Sequence, residues 1–164
     1  MQWAVCLRYG NGAKVMMPNY TPSQWWECDI FAVTKAGYFV EYEIKRTVAD
    51  FRADAKKGCG FRSRSKHAHL EAHEKNGPSR FWYVTPKGLV APSHVPLWAG
   101  VLYISPTRWG HAVEVARNAP RLHWHKCNPA IIEHAYQRAH WRFWDLWKRA
   151  GFPAQPTAAT RENG

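Results

Sequence analysis

Acidic residues are scarce in this chain, and the scarcity is uneven. Twelve Asp and Glu stand against 23 Lys and Arg, a formal charge of +11 with the histidines neutral. None of the acids precedes Glu27. Such an excess of positive charge points to a polyanionic partner, nucleic acid before an anionic membrane. Long apolar runs are also missing: nothing approaches the roughly 18 residues of a membrane span, and "MQWAVCLRYGNG" lacks the apolar stretch of a signal peptide. The expectation is a cytoplasmic protein with no membrane partner. Cysteine is limited to Cys6, Cys28, Cys59 and Cys127, without a paired spacing, which favours reduced thiols over a disulfide framework. No internal repeat occurs, and low complexity is confined to the end, where "FPAQPTAATRENG" reads as a flexible tail over 152–164. What remains, with 46% apolar residues in the whole chain, suits one domain over 1–151.

The hydrophobic periods divide that domain. "QWAVCLRYGNGAKVMMP" carries two apolar runs around Asn11-Gly12 and predicts a hairpin. "WECDIFAVT" predicts a strand over 26–34, "KAG" a tight turn, and "YFVEYEIK" the partner strand. The period then changes: Thr47 and Asp50 form a capping-box pattern ahead of a helix with Val48, Phe51 and Ala55 at helical spacing. "GCGFRSRS" interrupts it, and a second helix is expected over 66–75. "RFWYVT", "AGVLYIS" and "HAVEVA" read as further strands, the last at an edge, and a long helix closes the pattern over about 129–150. This order implies an α+β domain with a mixed sheet.

One strand carries an unusual pattern. Side chains alternate along a strand, so Tyr38, Val40, Tyr42 and Ile44 share one face while Glu41, Glu43 and Lys45 share the other. Glu27 and Asp29 share a face of the preceding strand, so residues 27–43 bring four of the twelve acids into neighbouring strands. Carboxylates gathered this way need a compensating cation, for which a hard, oxygen-liganded ion such as Mg²⁺ is the natural candidate.

Asp29, thirteen intervening residues, then Glu43-Ile44-Lys45 resembles the D-x(n)-(D/E)-x-K signature of the PD-(D/E)XK nuclease superfamily. The order of hairpin, helix and strand over about 26–85 is similar to that superfamily's core. "ECDIFAVTKAGYFVEYEIKRTVADFRADAKK" also looks like uncharacterised phage and bacterial members. The resemblance implies a restriction-endonuclease-like fold, its core at about 26–105, and an Mg²⁺-dependent nuclease acting on duplex, single-stranded or branched DNA. It implies that Asp29, Glu43 and the backbone carbonyl of Ile44 hold Mg²⁺, with Mn²⁺ as a substitute, and that Lys45 positions or activates the attacking water. It further implies a possible homodimer. Superfamily members often carry another glutamate on a helix before the first core strand, but no acid precedes Glu27 here, so Glu27 is the candidate third ligand, ahead of Glu41. A non-catalytic nucleic-acid-binding module on the same fold is the alternative.

Arg52, Lys56, Lys57, Arg62, Arg64 and Lys66 are interrupted only by Asp54, among glycines that let a loop follow a nucleic-acid backbone. With His67 they form the candidate DNA-binding segment. In the last helix Trp141, Trp144 and Trp147 recur nearly every turn and predict a core-facing stripe, with a base-stacking platform as the other reading. "HAHLEAH" spaces His69 and His73 like a zinc pair but lacks the HExxH order, and "HWHKC" offers His123, His125 and Cys127 without a fourth ligand.

Overall fold

The computed structural model describes residues 1–54 and 64–151. The first element overturns an expectation. In place of a hairpin around Asn11-Gly12, Gln2–Tyr9 forms helix α1, and Gly10–Gly12 makes a single 3₁₀ turn into strand β1, Ala13–Tyr20. Ala4 and Val5 are buried and Trp3 and Leu7 exposed. The apolar run was therefore one face of a helix, and a turn signal followed it without a second strand folding back.

Strand β2 (Cys28–Thr34) and strand β3 (Phe39–Ile44) form the expected hairpin. Gly37 takes φ +89°, a left-handed conformation that glycine adopts without a Cβ clash, and donates its N–H to the Thr34 carbonyl at 2.8 Å. Phe31 pairs with Glu41 and Ile30 with Tyr42. Helix α2 (Val48–Asp54) starts at the expected cap: Thr47 Oγ1 accepts from the Asp50 N–H at 3.0 Å. Helix α3 spans Lys66–Glu71, shorter than the expected 66–75, because the chain leaves helical geometry by His73, at φ +54°. His69 and His73 therefore do not share a helix.

Strand β4 (Arg80–Pro86) lies parallel to β3, β5 (Ala99–Thr107) parallel to β4, and β6 (Gly110–Arg117) antiparallel to β5. The sheet order is β1-β2-β3-β4-β5-β6, with β6 at the edge as expected. Each face carries a core. On one side Ala4 and Val5 of α1 pack with Ile30, Ala32, Val40, Tyr42, Val84 and Leu102. On the other, Phe31, Val33, Phe39, Phe81 and Tyr83 meet Leu70 of α3. Where Gly100 crosses Trp82, an added Cβ would stand 2.5 Å from both the indole and the Ala119 backbone, so only glycine fits.

Helix α4 (Pro129–Arg149) begins at Asn128, whose side chain accepts from the Ala130 N–H, and runs along the outer edge of β1. Its Tyr136 and Arg142 side chains donate to the carbonyls of Lys14, Pro18 and Asn19, occupying edge acceptors of a strand that would otherwise be open to pairing. The expected core stripe is corrected here. Ile131, Ile132 and Ala135 face the domain, but Trp141, Trp144 and Trp147 are exposed, because it is Arg142, not the tryptophans, that this part of the helix turns toward β1.

The mixed six-stranded sheet with four helices among the described residues makes the protein a single α+β domain. No described helix is long and apolar enough to cross a membrane.

Candidate active site

The charged face of β3 is turned inward. Glu41, Glu43 and Lys45 are each at most 2% exposed, as are Asp54 at the end of α2 and Lys66 at the start of α3. Three carboxylates and two ammoniums thus share one buried volume, which is tolerable only when every charge is paired.

The pairing is dense. Lys45 Nζ donates to Glu43 Oε1 at 2.8 Å and to Asp54 Oδ1 at 2.7 Å, with Asp50 3.8 Å away. Lys66 Nζ donates to Glu43 Oε2 at 2.9 Å and forms an ion pair with Glu41 Oε1. The Trp25 indole N–H takes the other Glu41 oxygen at 2.7 Å. On Asp54, Oδ2 accepts from the Tyr83 hydroxyl at 2.8 Å and lies 2.9 Å from His67 Nε2. Lys66 also stands 5.3 Å from the centroid of the Phe81 ring, which helps to hold a desolvated ammonium.

Burial and pairing set opposing protonation tendencies. Desolvation pushes the Glu41 carboxyl up to about 7 against the pull of Lys66. Glu43 is also desolvated, but Lys66 and Lys45 together hold it below the usual carboxylate range. Burial works against the charge on Lys66, yet Glu41 and Glu43 raise its pKa and keep it an ammonium. The Tyr83 hydroxyl is raised by burial and then by Asp54, so it remains a donor.

Asp29 occupies a different setting. Its Oδ2 accepts from the Ile44 N–H at 2.6 Å, which fixes the carboxylate against the peptide that follows Glu43. The strand alternation slips nearby. Tyr20 and Cys28 are paired and belong to the same core as Phe31, although three positions separate 28 from 31, and Asn19 takes φ +47°. Asp29 therefore lines a cleft of about 470 Å³ with Gln2, Asn19, Ile44 and Arg46. Gln2 of α1 donates to the Asp29 carbonyl at 2.8 Å. A helix does precede the first strand, and it carries no acid.

The convergence of four acids is corrected. Glu27 is exposed ahead of β2, and among the described residues it makes no hydrogen bond or ion pair. Glu41 is engaged by Lys66 and Trp25. The expectation that Lys66 contacts phosphate is likewise corrected, since its ammonium is buried between Glu41 and Glu43. His67 is turned toward Asp54 and Tyr83 rather than outward. Arg52 is exposed, and Arg64 is exposed but paired with Glu74 at 3.2 Å. Lys56, Lys57 and Arg62 lie outside the described residues.

Asp54, Tyr83 and Trp25 escaped the sequence reading. Asp54 stood inside a basic run and read as its exception, whereas its place one α-helix after Lys45 was the usable signal. Tyr83 and Trp25 come from other elements, and no local spacing links them to β3.

Asp29, Glu43 and the Ile44 carbonyl are hard oxygens of the kind Mg²⁺ takes, but the Asp29 carboxylate is bonded to the Ile44 N–H and lines the cleft beside α1, whereas both Glu43 oxygens are bonded to Lys45 and Lys66. Among the described residues no three His, Cys, Asp or Glu side chains form a metal-holding group. A cation there would keep several waters, as Mg²⁺ ordinarily does.

The fold and this charged centre define a class: a mixed-sheet α+β domain with a buried carboxylate–lysine network at the ends of its central strands. Neither a protein-family model nor a curated protein matches the chain. It is similar to a solved structure described as the SPO1766 protein of unknown function from Silicibacter pomeroyi, with a TM-score of 0.61 and 22% identity over 94% of this chain and 92% of that one. Identity that low establishes a shared fold and carries nothing about activity.

Proposed function

We propose that the protein is a metal-dependent nuclease of PD-(D/E)XK type that hydrolyses DNA phosphodiester bonds. The observation that supports this reading is the bond from the Ile44 N–H to the Asp29 carboxylate, within an E-x-K strand whose lysine is bonded to Glu43. The acid of one strand and the signature of the next are thereby tied together at adjacent strand ends. Asp29, Glu43 and the Ile44 carbonyl would hold Mg²⁺ or Mn²⁺. A metal so held supplies charge neutralisation at the phosphate and hydroxide near neutral pH. Lys45 is oriented by its bonds to Glu43 and Asp54, and would hold a water or a phosphate oxygen. Arg52 and Arg64, with Lys56, Lys57 and Arg62 of the intervening segment, would contact the phosphate backbone.

The second reading is a nucleic-acid-binding module in which the acids serve structure. It is favoured by the burial of Glu43 and Lys45, at 2% and 1% exposure, in a network that already satisfies both. Supercoiled plasmid incubated with the protein, with and without Mg²⁺, separates the two. Mg²⁺-dependent nicking lost in Asp29→Ala and Glu43→Ala supports the nuclease. Binding measured in Ca²⁺ without any cleavage in Mg²⁺ or Mn²⁺ supports the module.

A further inference from the structure

Ile44, Val84 and Leu102 stand side by side on the parallel strands β3, β4 and β5, so the C-terminal ends of these strands share one edge of the sheet with the candidate site. Strand β4 stops at Pro86, opposite Ile104, whereas β5 runs on to Thr107 and returns as β6. From Leu102 to Thr107 the chain advances about 16 Å at the rise of an extended strand, so the hairpin stands proud of that edge. Thr107 pairs with Gly110 around the turn of Arg108 and Trp109, and Gly110, at φ +130°, closes it in a conformation open to glycine. Every residue from Pro106 to Ala112 is exposed, Trp109 at 86%. The indole belongs to neither core. The Arg108 guanidinium lies over it, 4.9 Å from the ring centroid.

We propose that this tip is a nucleic-acid contact in which Trp109 stacks on an unpaired base and Arg108 meets the adjoining phosphate, making DNA with single-stranded segments the preferred substrate class. The inference rests on the DNA reading given above and narrows it.

Chemistry, charge and position select that occupant. An indole beside a guanidinium offers a π face to a base and a charge to its phosphate, the combination that holds single strands without reading sequence. In closed duplex both faces of each base are covered by neighbouring pairs, so a side chain gains this contact where bases are unpaired. The surroundings suit a polyanion: no Asp or Glu occurs between Glu74 and Glu114, and Glu114 itself is held by Lys87 at 2.7 Å. Exposed Arg46 directly follows Lys45 at the end of β3, two strands from the hairpin, or about 10 Å across the sheet. A single strand of a few nucleotides can therefore span the candidate site and the tip.

Fluorescence anisotropy of a labelled oligothymidylate, measured in EDTA to prevent cleavage, tests the proposal, with relaxed closed-circular plasmid as the competitor that reports duplex affinity. Wild type should bind the oligothymidylate more tightly, per nucleotide, than the plasmid. Trp109→Ala should weaken oligothymidylate binding at least about fivefold, the lower end of what losing one base stack costs, and change plasmid competition less than about twofold. Trp109→Phe, which keeps a ring, should recover most of the loss. Arg108→Ala should lower the log-affinity against log-salt slope for the single strand by roughly 0.7, and an unchanged slope removes Arg108 from the contact. Oligothymidylate binding by Trp109→Ala equal to wild type overturns the proposal, as does an equal loss on both DNAs or a plasmid that competes equally well per nucleotide. Wild-type binding to neither DNA also overturns it; if the protein then co-sediments with vesicles of phosphatidylcholine and phosphatidylglycerol and Trp109→Ala does not, the tip is a lipid contact. Plasmid nicking in Mg²⁺ is scored separately. Nicking without a Trp109 effect removes the stacking contact and leaves the nuclease, and a Trp109 effect without nicking does the reverse.

Discussion

The interior near β3 and the far half of α4 distribute polarity in opposite ways. Around β3 the chain buries Lys66 at 2% exposure, while on α4 it leaves Trp141 at 65%. Both placements run against the general preference for apolar interiors and polar surfaces. The difference lies in partners. Each buried charge has an opposite charge within ~3 Å, so desolvation is offset by hydrogen-bonded ion pairs, whereas Trp141, Phe143 and Trp144 on α4 leave about half or more of their surface to solvent. A buried ionic network is weak evidence for stability, since breaking it by one residue costs far more than the network gains. It is better evidence that the charges are needed, as the proposed nuclease would require.

The largest effect should come from removing one member of that network. Lys66→Met leaves Glu41 and Glu43 buried without their shared ammonium and should destabilise the protein by about 3–5 kcal/mol in urea unfolding. A loss under about 1 kcal/mol would mean that the charged interior is no more demanding than an ordinary surface pair.

The same network sets a pH dependence. In the fold the Glu41 carboxyl is held at about 7, against 4.5 in its ordinary state. Between those values the folded protein binds more protons than the unfolded chain, so stability falls as pH rises from 4.5 toward 7, on the order of 3 kcal/mol for this group. Glu43, held low, and Lys66, held high, act outside that window. Comparing unfolding at pH 5 and pH 7 in wild type and Glu41→Gln isolates the contribution from that of the histidines. Identical slopes in the two proteins would remove Glu41 as its source.

A smaller effect is expected from Trp25→Phe, which keeps most of the ring packing but takes the 2.7 Å donor from Glu41 Oε2. The cost should be about 1–3 kcal/mol, from leaving a buried carboxylate oxygen short of a partner. Smallest is Tyr136→Phe on α4, which removes an exposed bond to the Lys14 carbonyl and should cost at most about 1 kcal/mol. If these two changes cost the same, burial is not what separates the two regions.

The sheet was legible where period and turn chemistry agreed. The β2–β3 hairpin follows from two alternating runs around Gly37, and the helix after Thr47 from its capping pattern. The N-terminal helix was not, because eight residues with a narrow apolar face read equally as strand, and the Asn11-Gly12 turn favoured the wrong alternative. Asp29, Glu43 and Lys45 were singled out by the resemblance to the nuclease signature, and the structure brings Asp29 to the Ile44 N–H and Lys45 to Glu43. Lys66 was not, since a lysine beside a basic loop looks solvated until its burial is known.

By itself the sequence determined the order of most elements, the net charge and the alternation that puts Glu41, Glu43 and Lys45 on one face, because these depend only on composition and local period. Tertiary structure alone decided that this face points inward, that Lys66 and Asp54 from two later helices pair with its charges, and that the tryptophans of α4 are left exposed. Those outcomes depend on which elements meet across the sheet. Whether a charge is solvated or paired, and whether a tryptophan is covered or exposed, is fixed by neighbours distant in the chain.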